Sequence, residues 1–117
     1  MNKQILVIDD DPEFREFLLD LLLENGFQVL EACDGESACS IFNRHFRKIN
    51  LVTLDLDMPG ISGEQTYYRL KAVNPAIKII IVSGAPRYQR FNPSGVPRVA
   101  KPFKADHLLD CIRGLLP

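Results

Sequence analysis

The sequence LVTLDLDMPGISG, residues 51–63, is an apolar run that ends on acidic residues and opens into a loop. Residues 51–54 have the apolar and β-branched character of a strand that is buried on both faces. Asp55 and Asp57 follow, and a Pro-Gly pair then breaks the strand pattern. A buried strand that ends on a carboxylate is typical either of a functional site or of a solvated acidic turn. The other strands of the chain decide between these interpretations.

Four further segments have strand character, and helical patterns separate them. The five predicted strands are residues 4–8, 27–32, 51–54, 78–82 and 96–100. Helices are predicted to begin after Asp11, after Asp34 and near Gly63, and a last helix is predicted for residues 104–116. Strands that alternate with helices indicate right-handed βαβ units and one parallel sheet. The sequence therefore predicts a doubly wound α/β fold, with residues 1–117 forming a single domain.

Polar or charged side chains stand directly at the ends of four predicted strands. They are Asp9 and Asp10, Asp55, Ser83 and Lys101. The carboxyl ends of parallel strands meet at one edge of a sheet, where ligands of such folds bind. These side chains are therefore expected to lie together, although 92 positions separate the first from the last. The agreement among four strand ends favours a functional site over a solvated turn.

The chemistry of this set of residues is that of phosphoryl transfer. Asp9, Asp10 and Asp55 would repel one another, and at least one pKa would rise unless a cation neutralised them. Oxygen ligands of this kind suit Mg²⁺, which can also bridge to a phosphate. An aspartate beside such an ion can act as a nucleophile and form an aspartyl-phosphate. Lys101 would then supply positive charge, and the Ser83 hydroxyl would donate to a phosphoryl oxygen.

Composition excludes several other classes of protein. With 46% hydrophobic and 25% charged residues, the chain has the composition of a globular domain, and its apolar runs are too short to cross a membrane. No signal-peptide pattern is present, so a cytoplasmic location is expected. The formal net charge is −1, which argues against direct binding of nucleic acid. Residues 1–64 carry 5 Lys and Arg against 13 Asp and Glu, which favours a cation site in the first half.

The motifs VIDDD, LDLDMPGISG, VSG and AKPF, in this order and spacing, resemble the receiver domain of two-component response regulators. The resemblance covers almost the whole chain. It implies a flavodoxin-like (βα)5 fold with strand order 2-1-3-4-5. It also implies a phosphoryl donor, which is a sensor histidine kinase or a phosphotransfer protein. The expected role is signalling, with self-phosphorylation and autodephosphorylation as the only chemistry of the chain itself.

The resemblance assigns roles to individual residues of the acidic cluster. Asp55 matches the aspartate that accepts the phosphoryl group. Asp9 and Asp10 match the acidic pair that holds Mg²⁺, and the backbone carbonyl of Asp57 matches the position that completes the metal site. These four residues are the expected acceptor and metal ligands.

Two further residues match the family, and two features depart from it. Ser83 matches the hydroxyl residue that turns toward the phosphoryl group, and Lys101 matches the lysine that pairs with it, in a Lys-Pro bond that is often cis. These two residues are only 18 positions apart, so the fourth helix of the family is expected to be shortened or missing. Arg98 occupies the position of the usual switch aromatic. We therefore hypothesise that phosphorylation orders residues 85–97 instead of turning an aromatic ring.

Two other functions remain open from the sequence. Asp55 and Asp57 also fit the DxD motif of haloacid-dehalogenase-type phosphatases, in which the first would attack the substrate and the second would act as acid and base. However, that family places the motif on an early strand. The second alternative is a receiver-like interaction module that works without phosphorylation. The sequence names no output partner and leaves the oligomeric state open.

Overall fold

A computed structural model describes residues 2–84 and 91–117 of the chain. Its five strands are β1 (Gln4–Ile8), β2 (Gln28–Ala32), β3 (Leu51–Asp55), β4 (Lys78–Ser83) and β5 (Arg98–Ala100). Its four helices are α1 (Pro12–Glu24), α2 (Gly35–His45), α3 (Gly63–Val73) and α4 (Ala105–Leu115). All neighbouring strands are parallel and follow the order β2-β1-β3-β4-β5. The predicted flavodoxin-like topology is therefore confirmed.

Two apolar layers hold the helices against the sheet. On one face, buried residues of β1, β3 and β4 pack against Phe42 of α2 and Leu70 of α3. On the other face, the alternate residues of the same strands pack against Leu18 of α1 and Ile112 of α4. Side chains of a strand point alternately to its two faces, so a strand covered on both sides must be apolar throughout. This explains why β1, β3 and β4 are continuous apolar runs.

The register of the sheet aligns the ends of the strands. Ile8 of β1 lies opposite Leu54 of β3, so Asp9 and Asp55 follow side by side. The last residue of β4 likewise lies opposite the last residue of β5. Side chains that are distant in sequence therefore meet at the carboxyl edge of the sheet.

The first three helices begin where side-chain caps satisfy their first backbone N–H groups, whereas α4 has no side-chain cap from any residue that the structure describes. The Asp11 carboxylate accepts hydrogen bonds from the backbone N–H of Glu13 and of Phe14, and Asp34 accepts one from Ser37. The third helix starts with a reciprocal capping box of Ser62 and Gln65. Within the described parts of the chain, no helix is both long and apolar enough to cross a bilayer.

The fifth strand is shorter than predicted. It was expected over residues 96–100, but only Arg98–Ala100 form it. The backbone N–H of Val96 donates to the carbonyl of Pro93 in a turn, with Gly95 at a φ of +76°. Pro97 has no N–H to donate to the sheet, and its carbonyl accepts from Ile81 instead.

No helix lies between β4 and β5 among the residues that the structure describes there, Gly84 and 91–97. Residues 85–90 lie outside the described residues, and most of the short helical turn predicted for residues 87–91 falls on them. The hypothesis that phosphorylation orders residues 85–97 therefore stays a prediction. In the described part, the Phe91 ring lies 5.3 Å from the Tyr67 ring on α3, and the Phe91 carbonyl accepts a hydrogen bond from the Arg98 guanidinium.

Gly63 offers a direct test of how closely α3 packs against the loop after β3. A Cβ atom at Gly63 would lie 2.4 Å from the Cα atom of Leu56 and 2.9 Å from the backbone oxygen of Asp55. We expect Gly63→Ala to lower the free energy of unfolding by about 1–3 kcal/mol, because the backbone must move to admit the methyl group. Urea denaturation followed by circular dichroism measures this change.

Gly114→Ala is the matched control for that substitution. A Cβ atom at Gly114, near the end of α4, would meet no other heavy atom within 4 Å. We expect this variant to be slightly more stable than the wild type, by about 0.5 kcal/mol, because alanine has the higher helix propensity. Equal stability of the two variants would contradict the close packing of α3.

Candidate functional site

The carboxyl edge of the sheet brings the predicted site residues together. Asp9 and Asp10 follow β1, Asp55 ends β3, Ser83 ends β4, and Lys101 follows β5. Asp9, Asp55 and Ser83 are buried, whereas Asp10 is exposed. The expectation that residues 92 positions apart meet at this edge is correct.

Lys101 lies between the two buried carboxylates. Its Nζ atom is 2.9 Å from Oδ2 of Asp9 and 3.6 Å from Oδ2 of Asp55. The side chains of Asp9 and Asp55 are 2% and 6% exposed, and that of Lys101 is 23% exposed. Charges that are withdrawn from water attract each other much more strongly than surface charges do. The lysine therefore links the end of β5 to the ends of β1 and β3.

Backbone N–H groups orient both carboxylates. The N–H of Asp11 donates to Oδ1 of Asp9 at 2.9 Å, and the N–H of Asp57 donates to Oδ1 of Asp55 at 3.0 Å. In each residue the other carboxylate oxygen is the one that faces Lys101. The two loops thus present their carboxylates to the lysine in matching ways.

Arg15 of α1 fixes the backbone at the end of β1. Its Nη1 atom donates to the carbonyl oxygen of Asp9 at 2.8 Å, and its Nε atom lies 3.2 Å from Oε1 of Glu31 on β2. The Arg15 side chain is 18% exposed. The sequence gives no sign of this role, because the position of Arg15 along α1 does not show that its side chain reaches the end of β1 and Glu31 on β2.

Three carboxylates in this edge are close enough to hold a metal ion. One carboxylate oxygen from each of Asp9, Asp10 and Asp55 lies within 4.8 Å of the other two. The donors are all oxygen, which is the ligand type that Mg²⁺ prefers, and one carboxylate is open to solvent. Asp57 is exposed on the loop that follows Asp55. The residues present therefore fit a hydrated divalent cation.

Burial raises the pKa of Asp55 to about 6, from an ordinary value of 3.8. The N–H of Asp57 and the charge of Lys101 lower this pKa, whereas Asp9 and Asp10 raise it further. Burial is the largest of these effects, so the pKa is raised mainly because the carboxylate is withdrawn from water. Three carboxylate groups also lie close together, two of them beside the ammonium group of Lys101, and this clustering is the electrostatic reason for expecting a cation here.

The Ser83 hydroxyl is a buried donor available for a ligand. Among residues 2–84 and 91–117, its Oγ atom has no hydrogen-bond partner and almost no contact with solvent. A buried polar atom without a partner is costly and usually has a functional reason. The backbone of Ser83 is fixed, since its carbonyl accepts the N–H of Lys101 at 3.1 Å. The Lys101-Pro102 bond is cis, as the resemblance implied.

Phe14 is a second residue near the site that the sequence did not single out. Its spacing along the chain indicates only a place on the apolar stripe of α1, but Nζ of Lys101 lies 4.0 Å from the centre of its ring. A phenylalanine two turns before the core contact Leu22 gives no sign that it faces a lysine 87 positions later. The contact exists because the fold places the residue after β5 close to the first turn of α1.

A family model described as the response regulator receiver domain matches residues 5–113. Two curated relatives come from Bacillus subtilis (strain 168). The sporulation initiation phosphotransferase F is 29% identical, and the match covers 100% of this chain and 96% of that protein. The chemotaxis protein CheY is 30% identical, with 99% of each chain covered.

Solved structures agree with the family match. The response regulator protein TrrA of Thermotoga maritima, in a complex with Mg²⁺-BeF, superposes with a TM-score of 0.85 at 34% identity, covering 97% of this chain and 98% of TrrA. A structure of histidine kinase ThkA in complex with TrrA matches at a TM-score of 0.83 and 32% identity, covering 98% and 99% of the two chains.

The raised pKa of Asp55 predicts that this carboxylate destabilises the metal-free protein. Its pKa is about 6 in the folded state and 3.8 in the unfolded state, so the folded state keeps the proton of Asp55 to a higher pH. The free energy of unfolding therefore falls as pH rises from about 4 to 6 and stays lower above that. We expect Asp55→Asn to raise the free energy of unfolding by about 1–3 kcal/mol at pH 7.5, and to have little effect at pH 4.

Thermal denaturation in the presence of EDTA at both pH values measures this effect. Asp20→Asn is the matched control, because Asp20 is an exposed residue of α1 and lies outside the acidic cluster. We expect that control to match the wild type at both pH values. An Asp55→Asn protein that is less stable than the wild type at pH 7.5 would contradict the prediction.

Proposed function

The chain belongs to the response regulator receiver domain family, and from this premise we propose that it accepts a phosphoryl group on Asp55. The donor is the phosphohistidine of a sensor histidine kinase or of a phosphotransfer protein. The observation that carries the proposal is the position of Lys101, whose Nζ atom lies 2.9 Å from Asp9 and 3.6 Å from Asp55. An ammonium group shared by two buried carboxylates supports transfer of an anionic phosphoryl group to this site.

The transfer step uses the ionised form of Asp55. With a pKa of about 6 before any cation binds, its carboxyl group is mainly a carboxylate at pH 7. A carboxylate oxygen attacks phosphorus, and the new O–P bond forms as the bond to the donor's nitrogen breaks. The leaving imidazole takes up a proton from solvent. Water later cleaves the acyl phosphate and regenerates the carboxylate.

The other residues position the phosphoryl group and neutralise its charge. Lys101 can pair with one phosphoryl oxygen without leaving the site, since its ammonium group already lies beside Asp55. The Oγ atom of Ser83, which has no hydrogen-bond partner among the described residues, supports a hydrogen bond to a second oxygen. The N–H of Asp57 holds the orientation of the Asp55 carboxylate before the reaction. Catalysis of this kind is mostly positioning and charge neutralisation.

Mg²⁺ is the cofactor that fits this arrangement. Asp9, Asp10 and Asp55 would hold it with their carboxylates, and Asp57 with its backbone carbonyl. When bound, the ion supplies the charge that neutralises the carboxylates and the phosphoryl oxygens. Support comes from the oxygen-only donor set and from the burial-raised pKa of Asp55. The complex of the relative TrrA with Mg²⁺-BeF is consistent with this ion.

The role that follows from family membership is that of a signalling module. The complex of TrrA with histidine kinase ThkA supports a histidine kinase as the partner of this chain. Self-phosphorylation and autodephosphorylation at Asp55 belong to the proposal. A cytoplasmic location and a single receiver domain over residues 1–117 remain predictions, of which the family match covers residues 5–113.

The two alternatives have less support. A haloacid-dehalogenase-type phosphatase would carry its DxD motif on an early strand. In this chain Asp55 ends β3, and the acidic pair Asp9 and Asp10 follows β1. An interaction module that works without phosphate would have no use for a lysine shared by two acids, nor for a buried Ser83 hydroxyl that lacks a partner within residues 2–84 and 91–117. Both alternatives are outcomes of the experiment that follows.

Incubation with Mg²⁺ and acetyl phosphate, followed by intact mass spectrometry, tests the proposal. We expect one phosphoryl adduct on the wild type and none on Asp55→Asn. The adduct should be absent with EDTA and should be lost on treatment with hydroxylamine, because an acyl phosphate is attacked by that nucleophile. Steady release of phosphate from a generic phosphate monoester would instead support the phosphatase alternative.

Asp11→Asn is the matched control for the acceptor. Asp11 is next to the acidic pair but caps α1, and asparagine caps a helix about as well as aspartate does. We expect this variant to form the adduct at the wild-type level. The proposal is refuted by an adduct that persists in Asp55→Asn. It is also refuted by a folded wild type that forms no adduct, which would favour the phosphate-independent module.

A further inference from the structure

The Phe14 ring lies directly against the ammonium group of Lys101. Nζ is 4.0 Å from the ring centre, well within the distance at which an aromatic face attracts a cation. Phe14 lies in the first turn of α1, directly after the acidic end of β1. The lysine comes from the far side of the sheet order, after β5. The contact between Phe14 and Lys101 therefore connects the end of β1 with the end of β5, and Phe14 itself is not part of the acidic cluster.

A second aromatic ring supports Phe14 in this position. Phe103, two residues after Lys101, meets the Phe14 ring edge to face, with centres 5.7 Å apart and planes at 89°. Such edge-to-face pairs are favourable beyond the apolar area that they bury. Phe14 is half-buried and also packs against the apolar layer beneath α1 and α4. Its ring is thus supported from two sides while its face is against the ammonium.

The ring restricts where the lysine can place its charge. A lysine side chain has four flexible bonds, and ordering it has an entropic cost of up to about 2 kcal/mol. Carboxylates of Asp9 and Asp55 attract the ammonium from one side, at 2.9 and 3.6 Å. The Phe14 ring bounds it on another side and excludes water from that part of its surface. The ammonium group beside Asp55 is therefore in contact with carboxylates on one side and with an aromatic ring on another.

We propose that Phe14 is a positioning residue that holds the Lys101 ammonium beside Asp55 for phosphoryl transfer. This inference rests on the proposed function, because it concerns the same reaction. The Phe14 side chain has no group that can donate or accept a proton, so it acts only through the lysine. Leucine, which is also apolar but smaller, would fill most of the same space in the layer, but it has no aromatic face to attract the cation.

The kinetic test uses acetyl phosphate, so that docking of a protein donor cannot affect the rate. We expect Phe14→Leu to form the adduct about threefold to tenfold more slowly than the wild type, the factor that a partly buried cation–π contact supports. Phe14→Tyr keeps the ring face and should react at close to the wild-type rate. Phe17→Leu is the matched control, since Phe17 lies on the same helix, is 45% exposed and contacts Phe14.

A double-substitution cycle separates positioning from general packing. In a Lys101→Ala background, Phe14→Leu should cause no further loss of rate, because no ammonium remains to be positioned. An equal loss in both backgrounds would show that Phe14 acts through packing alone, and this would overturn the inference. Comparable melting temperatures of Phe14→Leu and Phe17→Leu would confirm that both variants are folded.

Nuclear magnetic resonance of Lys101 gives a readout that does not need the reaction. Protons above an aromatic ring are shifted upfield, so the ε-methylene protons of Lys101 should be shifted in the wild type and in Phe14→Tyr. They should return to ordinary values in Phe14→Leu. Unchanged shifts and an unchanged rate in Phe14→Leu would overturn this inference alone. A wild type that forms no adduct would overturn the proposed function and the positioning role together.

Discussion

Two buried carboxylates share one lysine at the carboxyl edge of the sheet, and the rest of the structure holds this arrangement in place. Asp9 and Asp55 repel each other, Lys101 attracts both, and burial raises the pKa of Asp55 to about 6. Isolated loops would move such charges apart or into water. The parallel sheet prevents this, because its register fixes the two strand ends side by side.

The apolar layers stabilise the fold and so offset the cost of burying these carboxylates. The three central strands are covered by apolar side chains on both faces, and they end at the acidic edge. The loop after Asp55 lies close against the start of α3 at Gly63, which limits the movement of its backbone. Under the proposed function, stability and phosphoryl acceptance therefore oppose each other at the edge of the sheet. Sites that hold unsatisfied charge commonly show this trade-off.

The region after β4 differs from the pattern that is usual in receiver domains. Arg98 replaces the expected aromatic residue, and its guanidinium contacts the backbone of Phe91. The Phe91 ring in turn packs on two tyrosines of α3, with ring centres 5.3 and 5.7 Å apart. Aromatic side chains are thus present near the usual switch region, but they come from other positions in the chain.

The sequence alone determined the element order, the parallel topology and the set of strand-end residues, because each depends on local patterns. Apolar runs, helix caps and polar strand ends are readable within a few residues. It missed Phe14 and Arg15, and it extended β5 through Pro97. The first two depend on contacts between distant segments, and the third on the turn before β5 and on Pro97, which has no N–H to donate to the sheet. Only the tertiary structure decided which oxygen of each carboxylate faces Lys101 and which ring covers it, because those geometries exist only after the strands have come together.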